Sequence, residues 1–241
     1  MMKKMRMFAV LALAFAMVAC TNKDNDDPMV YLNATVTFRP QADGKYFLKQ
    51  DEHTALIVKN SNLQSYPFTP GVEQRAIVQY GYDPENPGTN KVEGFDKTLD
   101  ITLFALDTVF TKAPVAYDPL KEDSYGNDPM GLYLDANYFP TTMVEDGYLC
   151  VCFEIPVGMS ETTHTINLLT GTDPKDPYTL ELRHNANGDA FITSGIYYMN
   201  FPLKDLPDTK GETVRLTLKW NSLATGQAET TTLEYRTRTD W

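Results

Sequence analysis

In residues 213 to 220, TVRLTLKW, every second side chain is apolar. Val214, Leu216, Leu218 and Trp220 fall on one side; Thr213, Arg215, Thr217 and Lys219 fall on the other. A period of two places alternate side chains on opposite faces of an extended chain, so this stretch reads as a half-buried β-strand. The pattern recurs along most of the chain, and no segment of ordinary helix length carries a 3.6-residue period. Such a chain must bury its apolar faces sheet against sheet or inside a closed barrel.

Five such strands lie in residues 31 to 112. Ala34, Val36 and Phe38 alternate with Thr35 and Thr37; KYFLKQ and TALIVK follow; Ala76, Val78 and Tyr80 alternate in RAIVQYGY; and KTLDITLFALDTVFT puts Leu99, Ile101, Leu103 and Ala105 on one face. Five strands of these lengths predict an OB-like barrel, whose closure leaves few open edges. Residues 113–128, rich in Pro, Asp and Gly without periodicity, predict a linker. From 129 to 241, seven short strands separated by turn clusters predict an immunoglobulin-like β-sandwich. The expected fold class is thus all-β.

The first nineteen residues stand apart. Lys3, Lys4 and Arg6 precede the apolar run MFAVLALAFAMVA, which is shorter than the ~20 residues that span a bilayer. This is the form of a secretory signal peptide, residues 1–19. The next residue is Cys20, and MVAC resembles a bacterial lipobox, with Met17 where Leu is usual. Cleavage there leaves a thiol that carries diacylglycerol, and several acyl chains anchor far more stably than one. Residues 20–30 then form a lipidated tether to the membrane. Its acids Asp24, Asp26 and Asp27 resemble the surface-export signals of some Gram-negative lipoproteins, which predicts a place on the outer membrane facing the exterior; the periplasmic face is the alternative. Loss of residues 1–19 removes three of the 21 bases and none of the 32 acids, taking the net charge from −11 to −14. That balance disfavours a nucleic-acid partner.

Chemistry is harder to find. LRHNANGDAF, residues 182 to 191, gathers Arg183, His184, Asn185 and Asp189. His184 shares the parity of Tyr178, Leu180 and Leu182, so it continues an apolar face. Asn187-Gly188 suits the positive φ of a type I′ hairpin turn, and Asp189 suits a bond to a turn N–H. The stretch therefore reads as a turn. His53 and His164 do not share a metal-ligand spacing with it, and no nucleophile elbow or phosphate-cradling glycine loop occurs. Cys150 and Cys152 in GYLCVCFEI sit near the upper limit of disulfide spacing and read as free thiols. No cofactor, metal or catalytic residue is assigned. Tyr66, Tyr82, Phe95 and Tyr138, in or near loops, are the candidate ligand-binding aromatics.

The segments YFLKQDEHTALIV, QRAIVQYGY and DITLFALDTVFTK, followed by GNDPMGLYLDANYF, LRHNANGD and GIYYMNF, resemble the NigD-like lipoproteins over residues 30 to 237. The resemblance implies a lipidated N-terminus, an OB-like domain and a C-terminal β-sandwich. It supplies no catalytic residues, and the bacteriocin-associated genes behind the family name imply an immunity role. The function expected is non-enzymatic: a cell-envelope lipoprotein that binds a protein or peptide, with a glycan-binding accessory lipoprotein as the alternative.

Overall fold

The computed structural model describes residues 28–40, 46–60, 72–135, 137, 139–158 and 162–241. Cys20, Asp24, Asp26, Asp27, Tyr66 and Tyr138 lie outside the described residues. β1 (Val30–Pro40), β2 (Tyr46–Lys49), β3 (Thr54–Val58), β4 (Gln74–Tyr82) and β5 (Lys97–Thr108) close into a barrel in the order β1-β2-β3-β5-β4, with β1 pairing β4. Its core joins the expected alternating residues Ala34, Val36, Phe38, Ala76, Val78, Tyr80, Leu99, Ile101 and Leu103 with Leu48 and Leu56 of the two short strands. Each such aliphatic side chain, fully buried, stabilises by about 1.5–3 kcal/mol.

β5 departs from the expected face at one place. Tyr80 pairs Leu103 while Gln79 pairs Ala105, so an extra residue sits in β5. This bulge inverts the parity beyond it. Leu106 is buried in place of Ala105, which is exposed.

The expected linker is instead part of the second unit. β6 (Val115–Ala116) pairs in parallel with Leu169–Thr170 of β10 (Thr165–Thr170). A 3₁₀ turn at Pro119–Lys121, capped by the Asp118 side chain, runs into the short helix α1 (Glu122–Tyr125). Tyr125 is buried, its hydroxyl accepts from the Asp118 N–H, and its ring lies 6.2 Å from that of Tyr117. The segment lacks periodicity because its contacts are made one residue at a time, and that is invisible to a pattern of period two.

The sandwich continues with β7 (Gly131–Leu132), β8 (Met143–Glu145), β9 (Tyr148–Val157), β10, β11 (Thr179–Asn185), β12 (Thr193–Pro202), β13 (Val214–Asn221) and β14 (Ala228–Tyr235). One sheet runs β14-β13-β11-β10-β6. The other runs β12-β9-β7, with β8 also on β9. Their facing side chains form one core that includes Leu149, Val151, Phe153, Leu168, Leu182, Phe201, Leu216 and Leu218.

The two units are joined by buried charge. Asp146 and Gly147 take positive φ in the tight hairpin between β8 and β9. There Asp146 projects onto the barrel and meets Lys49 at 2.6 Å and Arg238 at 3.5 Å. Arg75 of β4 is fully buried. It donates to Thr37 Oγ1 at 2.7 Å, Glu145 at 2.8 Å and Cys150 Sγ at 3.2 Å. From the C-terminal tail, Arg238 donates to both oxygens of Glu73 and stacks on Trp241, 4.4 Å from the ring centroid. Burial works against the charge on Glu73, but Arg238, Tyr148 and Arg39 outweigh it and hold the carboxyl below its ordinary value.

This joint explains the two cysteines. Cys150 and Cys152 are free thiols, and both are buried although they lie on the face of β9 away from the sandwich core. The barrel covers that face, so Cys150 lines the seam with Thr35, Ile77 and Val109. Burial raises both thiols, Cys152 to about 11, which keeps them protonated and unreactive.

Candidate functional site

The polar stretch on β11 is organised around a chain of bonds that sequence spacing concealed. β10 and β11 are antiparallel, with Ile166 opposite His184, and this brings His164 beside it. The two rings stack with centroids 5.1 Å apart, and His164 Nδ1 lies 2.9 Å from His184 Nε2. His164 Nε2 lies 3.1 Å from Asp189 Oδ2, and His184 Nδ1 lies 3.4 Å from the Pro129 carbonyl. Every ring nitrogen thus faces a protein partner and none faces solvent for a substrate. Burial lowers the basicity of His184, so its neutral form is favoured. The arrangement is structural.

The turn itself has the predicted geometry and a different role. Asn187 and Gly188 have φ of 51° and 79°, and Asp189 N–H closes the turn on Ala186 O at 3.0 Å. These are type I′ signs, yet the turn is not a hairpin, because β11 and β12 belong to different sheets. It sends the chain from one sheet across to the other. Asp189 accordingly accepts from the Gly158 N–H at 2.6 Å, tying the turn to the end of β9.

The candidate binding aromatics that are described do not form a platform. Tyr82 packs partly against the barrel core under Lys97, and Phe95 sits edge-to-face on Phe47 at 5.2 Å. Among the described residues no three His, Cys, Asp or Glu side chains are grouped to hold a metal ion. A depression of about 200 Å³ lined by Pro114, Thr170, Pro202 and Asp205 falls below the volume usual for small-molecule sites.

Exposed apolar surface gathers elsewhere, along the start of β12. Phe191 and Ile192 are 69% and 57% exposed, and Ile196, Tyr197 and Tyr198 follow at 53%, 44% and 38%. β12 is an edge strand: β9 lies on one side of it, in register from Thr193 opposite Val157 to Pro202 opposite Tyr148. On its other side the chain segment at Thr111 bridges Asn200 only. Tyr197 lies across from Phe153, with ring centroids 5.9 Å apart, and folds back over Gly195. A Cβ on Gly195 would stand 2.6 Å from that ring, so only glycine lets the tyrosine lie flat. Ile196 and Tyr198 point to the opposite face, Ile196 beside Glu154. The sequence signal was present as four consecutive large apolar residues, Ile196 to Met199, in GIYYMNF, where alternation should have supplied polar ones.

Residues 113–235 match the family described as the NigD-like C-terminal beta sandwich domain. Among solved structures, the chain is similar to a protein described as toxin-related from Parabacteroides distasonis, with 30% identity over 86% of this chain and 93% of that one at a TM-score of 0.67. It shares its fold with a NigD-like immunity protein from Bacteroides caccae, at 20% identity, 85% and 97% coverage and a TM-score of 0.58. It also shares its fold with a protein described as a lipoprotein from Bacteroides fragilis, at 14% identity, 87% and 100% coverage and a TM-score of 0.59. No curated protein matches the chain.

Proposed function

Because the chain belongs to the NigD-like family, we propose that it is a lipid-anchored protein of the cell envelope that acts by binding a protein or peptide, without catalysis. The observation that carries this reading is the apolar surface of Phe191, Ile192, Ile196, Tyr197 and Tyr198 on an edge strand. Large apolar side chains left exposed on both faces of an unguarded edge mark an interaction site. The signal peptide, Cys20 and the acids Asp24, Asp26 and Asp27 support anchoring at the outer membrane with the folded units facing outward. An immunity role against a bacteriocin is the form of binding that the name of the Bacteroides caccae neighbour suggests.

The exposed tyrosines also favour a second reading, an accessory protein that stacks glycans on Tyr197 and Tyr198. Two measurements separate these. A tagged full-length chain, purified from its native membrane, is expected to retain a protein partner in stoichiometric amount. Retention of polysaccharide without protein would overturn the leading reading in favour of the second. Cys20→Ala is expected to abolish labelling by a fatty-acid analogue, and persistent labelling would refute the anchor.

A further inference from the structure

On β12 the directions of the backbone groups are set by Asn200. Its N–H donates to the Phe110 carbonyl and its C=O accepts from the Lys112 N–H, both at 2.9 Å. Both groups therefore point away from β9. In an antiparallel strand this direction repeats at every second residue. The N–H and C=O of Tyr198, Ile196 and Ser194 thus point outward as well, and no described backbone group bonds them. The result is an open ladder in line with the place where residues 110–112 already add to the same edge.

Natural edges are usually guarded by lysine, proline or a bulge. The residues Thr193 to Met199 carry none of these and no charge. They offer Ile196 and Tyr198 on one face and Tyr197 on the other. The charge on this sheet is acidic: residues 190 to 203 hold no lysine or arginine, β9 holds Glu154 and no basic residue, and Lys112 on the adjoining segment turns its ammonium to the Ile166 carbonyl and Asn167. Glu154 lies directly across from Ile196.

We propose that this edge takes up an extended peptide segment with apolar and cationic residues, which adds to the β12-β9-β7 sheet as its next strand. The mode rests on the reading that the protein acts by binding. Backbone bonds to Ser194, Ile196 and Tyr198 fix the added strand; its apolar side chains cover Tyr197 on one face, and on the other its cations lie beside Ile196 and answer Glu154. A second copy of this chain fits less well. Pairing β12 with itself would bring two chains of net charge −11 together and place two copies of Glu154 on the same small sheet.

The test uses the full-length chain and labelled peptides of about nine residues, one alternating valine with lysine and one alternating valine with glutamate. Fluorescence anisotropy is expected to show the lysine peptide binding about tenfold tighter or more. N-methylation at alternate residues, which removes the donors of one edge, is expected to abolish it. Ile196→Pro removes an outward donor. Ile196→Lys keeps the strand but adds a guarding cation, so it controls for misfolding. Both are expected to lose the lysine peptide. The proposal is overturned by absence of binding, by equal binding of the two peptides, by indifference to both substitutions, or by a stable dimer that Ile196→Lys dissociates. A partner captured equally by the wild type and Ile196→Lys would refute the edge mode and leave the binding reading standing. Failure of the wild type to capture any protein would sink that reading itself.

Discussion

The joint between barrel and sandwich and the open half of β12 distribute their side chains in opposite ways. At the joint, Arg75, Arg238, Lys49 and Asp146 are buried. On β12, Ile196, Tyr197 and Tyr198 are exposed. Water-exposed apolar groups lose the stabilisation that burial would give, and buried charges are tolerated only when paired. The joint is complete within one chain, since each buried charge has its partner there. The edge is incomplete, since its backbone and apolar faces gain only from something added. Departure from the usual distribution thus has two meanings, and the hydrogen bonds tell them apart.

The largest expected effect tests that completeness. Arg75→Ala removes a fully buried guanidinium from Thr37, the partly buried Glu145 and the raised Cys150 thiol, and losing one member of a buried pair costs at most about 3–5 kcal/mol. Denaturant unfolding should show this fall in midpoint, and a loss below about 1 kcal/mol would mean the joint is wetter than described. The turn that feeds β12 comes next. Gly188→Val forces a β-branched residue to φ near 79°, at about 1–3 kcal/mol. His184→Ala should cost about 1–2 kcal/mol and spare binding. If it removed binding while the melting temperature held, the His164–His184–Asp189 chain would be more than a support.

Acid should act on both regions, at different pH. Burial lowers the basicity of His184, so the folded protein disfavours its charged form. That contribution is present above the ordinary value of 6.5 and is lost as pH falls through the lowered one. The joint fails later. Burial opposes the charges of Glu73 and Asp240, yet their arginine and lysine partners hold both below 4.5 and 3.8. Their contribution is lost only as pH falls through those lowered values. Glu145, raised chiefly by burial, works in the opposite sense, since protonation relieves it. Melting temperatures across pH 7 to 3 should fall in two stages, the first absent in His184→Ala. The smallest effect belongs to the edge: Ile196→Lys should change stability by no more than about 0.5 kcal/mol. A larger loss would mean that Ile196 is packed, and the comparison would collapse.

Much of the architecture was legible in the alternation of apolar residues. Val36, Val78, Ile101 and Leu218 occupy the interiors their parity assigns, because a strand's side-chain period leaves no other choice. The Asn187-Gly188 turn was legible for a similar local reason, since its φ values exclude most other residues. What failed was whatever depended on a distant neighbour. Residues 113–128 pair with a strand some fifty positions away. His164 and His184 meet only because β10 and β11 are in register. Cys150 is buried by a barrel that its own segment does not mention.

By itself, then, the sequence determined the class of fold, the inward faces and the tight turns, because these follow from periods and dihedral limits within a few residues. Only the tertiary structure decided which edge stays open. Ile196, Tyr197 and Tyr198 would have been core residues in any central strand. Their exposure arises because residues 110–112 cover β12 at Asn200 and reach no further, and that depends on the path of the chain between the two units.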